Sequence, residues 1–141
     1  MTERTLLDTD IFSEVIKGKN ASVSAHADAY MKEHGRLTIS VITVLESTKG
    51  FQKAQRADAL ARFVGMLPSL DVLGFGIEEA LVAGRIYGDL ERTGQPIGRA
   101  DPMIAAVAIT NAIALATGNG AHYERIRALG YALRLENWRD P

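Results

Sequence analysis

The chain has 141 residues, of which 47% are hydrophobic and 23% charged, values typical of a single soluble globular domain spanning residues 1–141. Its net charge of −1 argues against a strongly basic nucleic-acid binder, and its lack of cysteine excludes disulfides, thiolate metal sites and a cysteine nucleophile. The lack of cysteine fits the reducing cytoplasm, where we expect the protein to be. We expect no signal peptide, because residues 1–10 contain acids and no long apolar region. We expect no membrane span, because the longest apolar run, residues 103–109, is too short to cross a bilayer.

Short apolar segments alternate with helical patterns along the chain. Strands are predicted at residues 5–7, 36–39, 71–75, 113–117 and 131–135. Helices are predicted over residues 11–16, 21–34, 41–50, 52–67, 77–91, 102–112 and 123–129. This alternation is typical of an α/β domain, and we expect a three-layer α/β/α fold with a short, mostly parallel central sheet of four or five strands.

The spacing of apolar residues also predicts which side of each helix is buried. An apolar stripe at helical spacing faces the core in a globular protein. In the third helix, which Ser40 caps, the predicted inward residues are Val41, Val44, Leu45 and Thr48. In the helix over residues 77–91 they are Ile77, Leu81, Gly84, Tyr87 and Leu90.

The most apolar helix begins at a single carboxylate. Residues 103–109 are apolar on every face, which predicts a helix that is buried all round. Asp101 followed by Pro102 is a strong helix start, with Asp101 as the N-cap and Pro102 as the first helical residue. On this evidence alone, Asp101 is a helix cap with no further role.

Polar residues lie where several predicted strands and helices meet. Asp8 follows the first strand, Asn119 follows the fourth, and Asp101 begins a helix. Glu46 lies two turns into the helix after the second strand, where its side chain leans back toward the helix N-terminus. Because parallel sheets bind ligands at the carboxyl ends of their strands, we expect these four residues at one edge. Acids gathered there need a neutralising cation, and Mg²⁺ or Mn²⁺ suits oxygen ligands and phosphoryl chemistry.

Each of these residues also has an ordinary structural interpretation. Asp8 alone is equally explained as a strand-end or helix-capping acid, and Glu46 as a solvated helix residue. Asn119 lies between two glycines and is a common type of turn residue. Asp10 either caps the first helix or holds water. The pattern of four positions across an α/β chain, and no single residue, therefore carries the metal-site hypothesis.

Four motifs of this chain resemble those of PIN-domain proteins, and they occur in the family's order. They are residues 6–11 (LLDTDI), 40–46 (SVITVLE), 101–106 (DPMIAA) and 115–119 (LATGN). Residues 133–138 resemble the last strand and tail of the family. The resemblance covers essentially the whole chain, and the VapC-type toxins of bacterial toxin–antitoxin pairs are the branch it is most similar to.

This resemblance implies a specific activity and specific partners. It implies the toxin of a type II toxin–antitoxin system, an Mg²⁺- or Mn²⁺-dependent endoribonuclease that cleaves RNA. It also implies a homodimer, and a heterotetramer or larger assembly with a cognate antitoxin that inserts a segment into the active site. By motif match, Asp8, Glu46 and Asp101 are the catalytic and metal-binding acids. Asn119 is the fourth metal-site residue, at a position where many relatives carry an acid.

Three residues are expected to contact substrate. Arg99, beside Asp101, is the predicted phosphate contact, and Thr9 is predicted to lie against the substrate. His122 occupies a position that is often polar in relatives, so it either touches substrate or is a surface loop histidine. Two departures from the family pattern are Asn119, which supplies no charge for a second ion, and Gly118, where a basic residue is common.

Two other functions remain open on the sequence. One is a PIN-like module that binds RNA or forms complexes with its partner at a DNA site, with little catalytic turnover. The other is a metal-dependent phosphohydrolase of small phosphate esters. The chain has neither a P-loop nor a dinucleotide fingerprint, and it lacks the Gly-x-Ser-x-Gly motif of serine hydrolases.

Overall fold

A computed structural model describes residues 3–98 and 100–141 of the chain. The strands are β1 (Thr5–Leu7), β2 (Thr38–Ser40), β3 (Asp71–Leu73), β4 (Ala114–Ala116) and β5 (Leu135–Glu136). The helices are α1 (Thr9–Lys17), α2 (Ala21–His34), α3 (Val41–Lys53), α4 (Ala57–Met66), α5 (Ile77–Arg92), α6 (Asp101–Thr110) and α7 (Gly120–Ala128). The strand order is β3-β2-β1-β4-β5 and all neighbouring strands are parallel, which confirms the predicted α/β/α fold.

The register of the central strands brings their carboxyl ends to one edge of the sheet. Leu7 of β1 pairs with Ala116 of β4, and Leu6 pairs with Thr38 of β2. The pairing continues one residue past β1, because the backbone N–H of Asp8 donates to the carbonyl of Ala116 at 2.9 Å. The residues that follow β1 and β4 therefore lie side by side.

Two hydrophobic clusters cover the two faces of the sheet. Leu6 belongs to a cluster with Ile104 of α6, whereas Leu7 belongs to a cluster with Phe12 of α1 and Phe63 of α4. Successive side chains of a strand point to opposite faces, so neighbouring leucines serve separate clusters. The predicted short buried first strand is confirmed, since β1 is buried throughout.

The helix α6 is buried as the sequence predicted, but it begins differently. Its residues from Ile104 to Ala108 are all buried, and it packs against α5. The prediction that Asp101 is the N-cap is wrong: Ala100 occupies that position with helical backbone angles, and Asp101 is already the first helical residue. No side chain caps this helix, and the Asp101 carboxylate is left to bond elsewhere.

The predicted inward faces of α3 and α5 are partly wrong. Leu45 is 61% exposed and Ile77 is 83% exposed, and Val41 and Leu81 are also exposed. Ile42 and Thr43 are the fully buried residues of α3, and in α5 these are Ala83, Ile86 and Leu90. The helix α3 follows β2 with no intervening loop, so the Ser40 cap sets which side of the helix meets the sheet. Apolar spacing alone predicts the helical period but not this rotation.

Several element boundaries also differ from the prediction. The range 52–67, predicted as one helix, is divided between two. The helix α3 extends to Lys53, Gln55 then adopts a positive φ of 54°, and α4 begins at Ala57. The last strand is shorter and later than predicted. Among the described residues, no helix combines the length and apolarity that a membrane span requires.

Candidate active site

Asp8 lies at the end of β1 and holds two neighbouring elements. Its side chain is buried, and its Oδ1 accepts a hydrogen bond from the backbone N–H of Thr9 at 2.8 Å, which caps α1. Its Oδ2 accepts a bond from the Thr117 hydroxyl at 2.8 Å, directly after β4. Asp8 is therefore a helix cap, as the ordinary interpretation held, and also a carboxylate fixed at the sheet edge.

The electrostatic environment of Asp8 disfavours its charge. Burial, and to a lesser extent the negative charges of Asp10 and Asp101, raise the pKa of Asp8 to about 7. Hydrogen bonds from Thr117 and Thr9 oppose this increase without cancelling it. None of the ion pairs found among the described residues involves Asp8, and a bound cation would supply the missing positive charge.

Asp101 is held by two consecutive residues of α7. His122 Nδ1 donates to Asp101 Oδ2 at 3.0 Å, and the hydroxyl of Tyr123 donates to Asp101 Oδ1 at 3.3 Å. The Tyr123 hydroxyl also interacts with Asp8. Burial, followed by the charges of Asp8 and Asp101, raises the pKa of Tyr123 well above its ordinary value, so the hydroxyl keeps its proton. The Tyr123 hydroxyl is thus bonded to Asp101 and lies within electrostatic reach of Asp8.

Glu46 joins the site through Thr9. The Thr9 hydroxyl donates to Glu46 Oε1 at 2.6 Å, and it lies 2.9 Å from the hydroxyl of Thr43. The backbone N–H of Thr9 bonds to Asp8, so Thr9 links the carboxylates of Glu46 and Asp8. Glu46 therefore extends toward the sheet edge, as expected. Thr9, which is predicted to contact substrate, hydrogen-bonds to both Glu46 and Asp8.

Asn119 approaches the site through its backbone. Its N–H donates to the Thr117 hydroxyl at 2.9 Å, and that hydroxyl bonds to Asp8. Its side chain is exposed and makes no capping bond to α7. Arg99, the predicted phosphate contact, lies outside the described residues.

An ion-pair cluster borders the site at Asp10. Asp10 Oδ2 accepts a bond from the backbone N–H of Gly118 at 3.1 Å, and burial raises the pKa of Asp10. Arg139 Nε donates to both carboxylate oxygens of Glu14, at 3.0 and 3.1 Å, and its Nη2 lies 3.8 Å from Asp10. The Arg139 guanidinium occupies the space that a side chain at residue 118 would need. The departure at Gly118 therefore has a steric reason.

Sequence reasoning missed Tyr123 and Arg139. The sequence predicts Tyr123 only as the first residue of a short helix over residues 123–129, and a tyrosine at helical spacing carries no signal beyond packing. Arg139 lies in a tail with no periodic pattern. Both residues meet the site through contacts between segments that are distant in the chain.

The chemistry of these donors fits a hard divalent cation. Carboxylate oxygens are the ligands that Mg²⁺ and Mn²⁺ prefer, and a cation beside Asp8 would offset the burial and the neighbouring acids that raise its pKa. No three acidic, histidine or cysteine side chains of residues 3–98 and 100–141 are grouped closely enough to form a complete metal site. The residues thus fit an ion held by Asp8 and Asp101 with water in its remaining positions.

Comparisons with known proteins identify the family of this chain. Residues 5–129 match the PIN domain family. The chain is 34% identical over 134 residues to the tRNA(fMet)-specific endonuclease VapC of Shigella flexneri, covering 94% of this chain and 96% of that protein. It is 31% identical over 134 residues to Ribonuclease VapC2 of Haemophilus influenzae, with the same coverage.

A solved structure of a VapBC complex has the same fold as this chain. The crystal structure of DNA-bound VapBC from Salmonella typhimurium superposes on this chain with a TM-score of 0.82 at 30% identity, covering 97% of this chain and 99% of the other. The family match spans most of the chain, and the curated relatives match it nearly end to end. The chain therefore belongs to the PIN-domain family, in its VapC branch.

Proposed function

We propose that this chain is the toxin of a type II toxin–antitoxin system and acts as a metal-dependent endoribonuclease. The observation that carries the proposal is a pair of carboxyls at the edge of a parallel sheet: Asp8, fixed by Thr117 and the Thr9 backbone, and Asp101, bonded to the buried Tyr123 hydroxyl and to His122. The ribonuclease and endonuclease names of its relatives support the same activity.

The proposed cofactor is Mg²⁺, with Mn²⁺ as a substitute. Asp8 and Asp101 would hold the ion, with Glu46 as a ligand directly or through water and Asn119 as a neutral ligand. When bound, the ion supplies the Lewis acidity that activates water for attack on an RNA phosphodiester and stabilises the developing charge. Because Asn119 carries no charge, we propose one firmly held ion.

The residues of the chain supply a rigid acidic edge for this chemistry. Thr117 and the backbone of Thr9 fix both oxygens of Asp8. The Thr9 hydroxyl fixes Glu46. A site whose side chains are already held in place loses little entropy when substrate arrives. Substrate contacts by Arg99 and His122 stay predictions.

An RNA-cleavage assay tests the proposal by comparing two aspartates, each of which accepts a hydrogen bond from a tyrosine hydroxyl. Asp101→Asn should lower RNA cleavage at least about 100-fold at every Mg²⁺ and Mn²⁺ concentration, because the oxygen ligand loses its charge. The matched control is Asp89→Asn, since Asp89 accepts the Tyr131 hydroxyl at 2.6 Å outside the site. The initiator tRNA is the first substrate to try, given the name of the 34% identical relative, followed by a mixed RNA pool.

The same assay separates the alternatives. Folded wild-type protein that cleaves no RNA at any Mn²⁺ concentration would indicate a binding or complex-forming module. Turnover of a generic phosphate ester without RNA cleavage would indicate a small-molecule phosphohydrolase. Full activity of folded Asp101→Asn protein would refute the assignment of Asp101.

We also propose that an antitoxin segment binds a groove between α1, α3 and α4. The groove has a volume of about 380 Å³ and an apolar floor that includes Phe12, Phe51 and Phe63. Lys17, Arg56 and Arg62 also line it, so its chemistry suits an apolar segment flanked by acids. The toxin–antitoxin complexes among the similar structures support a partner of this kind.

Pull-down with the co-expressed antitoxin tests the groove. Ile16 lines it and is 46% exposed, so Ile16→Glu should reduce capture of the antitoxin without unfolding the toxin. Met31→Glu is the matched control, because Met31 is 43% exposed on α2, away from the groove lining. Equal capture by both variants would place the antitoxin elsewhere.

A further inference from the structure

The Tyr123 hydroxyl is bonded to a carboxyl of the proposed site, although the ring of Tyr123 lies in the core. Tyr123 has no exposed surface, and its side chain belongs to the cluster that packs α5, α6 and α7 on one face of the sheet. A phenylalanine ring fills the same volume. The hydroxyl is therefore the part of the side chain that packing does not explain, and its observed hydrogen-bond partner is Asp101 of the proposed site.

Asp101 depends on α7 for its orientation. It begins α6 without serving as the cap, so no bond to its own helix N-terminus fixes the carboxylate. Tyr123 instead donates to one oxygen and His122 to the other. A carboxylate held at both oxygens cannot rotate freely, yet each oxygen keeps a lone pair for a cation.

We propose that Tyr123 is a positioning residue that holds the Asp101 carboxylate beside Asp8 for a divalent cation, with His122 as its second support. This inference rests on the proposed function, because it assigns Tyr123 a role at the proposed metal site. The hydroxyl acts as a hydrogen-bond donor throughout and touches neither substrate nor reacting atoms. Its expected contribution is to metal affinity, with the chemical step left largely unchanged.

Tyr123→Phe tests the role by removing a single oxygen atom. One hydrogen bond to a charged group corresponds to about a ten-fold change in affinity, so Mn²⁺ and Mg²⁺ should bind the metal-free variant about ten-fold more weakly in titration calorimetry. In RNA cleavage, the Mn²⁺ concentration for half-maximal rate should rise by a similar factor. At saturating Mn²⁺ the rate should return to within about three-fold of wild type.

Tyr131→Phe is the matched control. Tyr131 also donates to an aspartate, Asp89, at 2.6 Å, but outside the site. Its loss should leave metal affinity and the Mn²⁺ dependence of cleavage unchanged. A merely structural effect of removing a tyrosine hydroxyl would appear in unfolding temperature and not in metal affinity.

The possible outcomes distinguish this inference from the proposed function. If wild-type protein binds no divalent cation, the proposed metal-dependent function fails and the inference fails with it. If wild-type and Tyr123→Phe proteins bind Mn²⁺ equally within two-fold, the inference is wrong and the function stands. Should Tyr123→Phe not fold, His122→Leu at a partly exposed position removes the other support. Weaker Mn²⁺ binding by that variant supports the inference, and unchanged binding overturns it.

Discussion

The guanidinium of Arg139 lies directly over Gly118, in the space that any side chain at that position would occupy. The same guanidinium bonds to Glu14 and lies near Asp10, whose carboxylate accepts the Gly118 N–H. A side chain at residue 118 would displace the Arg139 guanidinium from this position. An ion pair supplied from residue 139 compensates part of the acidic charge beside Asp8.

This relationship predicts non-additive effects of Gly118→Ala and Arg139→Ala on stability. The added methyl would push the flexible guanidinium away, so both changes break the same exposed ion pairs. Each should lower the free energy of unfolding by at most about 1 kcal/mol, and the double variant should lose no more than either single variant. Urea denaturation of the four proteins measures this, and additive losses would show that Arg139 and Gly118 act separately.

The raised pKa of Asp8 predicts a pH-dependent difference between wild type and Asp8→Asn. The folded-state pKa of about 7 exceeds the ordinary value of 3.8, so the folded protein binds the Asp8 proton more tightly than the unfolded chain. Wild-type stability should therefore fall relative to Asp8→Asn as pH rises from about 4 to about 7, by at most about 4 kcal/mol in total. Above pH 7 the difference should level off.

Thermal or urea unfolding of metal-free protein between pH 4 and 8 tests this sign. Addition of Mg²⁺ at pH 8 should stabilise wild type more than Asp8→Asn, because the ion compensates a charge that asparagine lacks. Parallel stability curves across the pH range would mean that Asp8 is ionised at little cost in the folded state. The Asp89→Asn variant controls for loss of an exposed aspartate.

Removal of the Thr9 hydroxyl should impair catalysis more than folding. Thr9→Val keeps the backbone N–H that caps α1 through Asp8 and deletes the bond to Glu46 Oε1. We expect kcat/KM for RNA cleavage to fall about ten-fold, since Glu46 loses a strong hydrogen bond that orients it. The unfolding temperature should change by only a few degrees. Ser47→Ala, one residue beyond Glu46, serves as a control, and unchanged kcat/KM in Thr9→Val would show that Glu46 needs no such orientation.

We propose that exposed apolar side chains of α3 and α5 form the interface of the homodimer that the family resemblance implies. Leu45 and Ile77 are far more exposed than apolar residues usually are, and they lie on stripes that the core leaves uncovered. Leu45→Glu should convert a dimer to a monomer in light scattering without lowering the stability of the monomer. Val64→Glu, at an exposed position of α4, is the control. A wild-type monomer at micromolar concentration would refute this surface as a dimer interface.

The sequence by itself determined the features that depend on neighbouring residues. The helix α2 begins and ends where predicted, because Asn20 caps it through the Val23 N–H and Gly35 ends it in the left-handed conformation. The acid after β1 and the buried helix after Asp101 were likewise predicted from short stretches. Local hydrogen bonds and apolar spacing are sufficient for such features.

Only the tertiary structure decided which apolar stripes are buried and how the acids are held. The side of α3 that meets the sheet depends on how β2 enters the helix, and period alone leaves that rotation open. The partners of the site acids come from distant segments: Thr117 bonds to Asp8 across 109 positions, and Arg139 bonds to Glu14 across 125. The contact of Tyr123 with Asp101 arises in the same way, because α7 packs on α6. A sequence pattern records what each residue is, whereas these contacts exist only once parallel strands bring separate loops to one edge of the sheet.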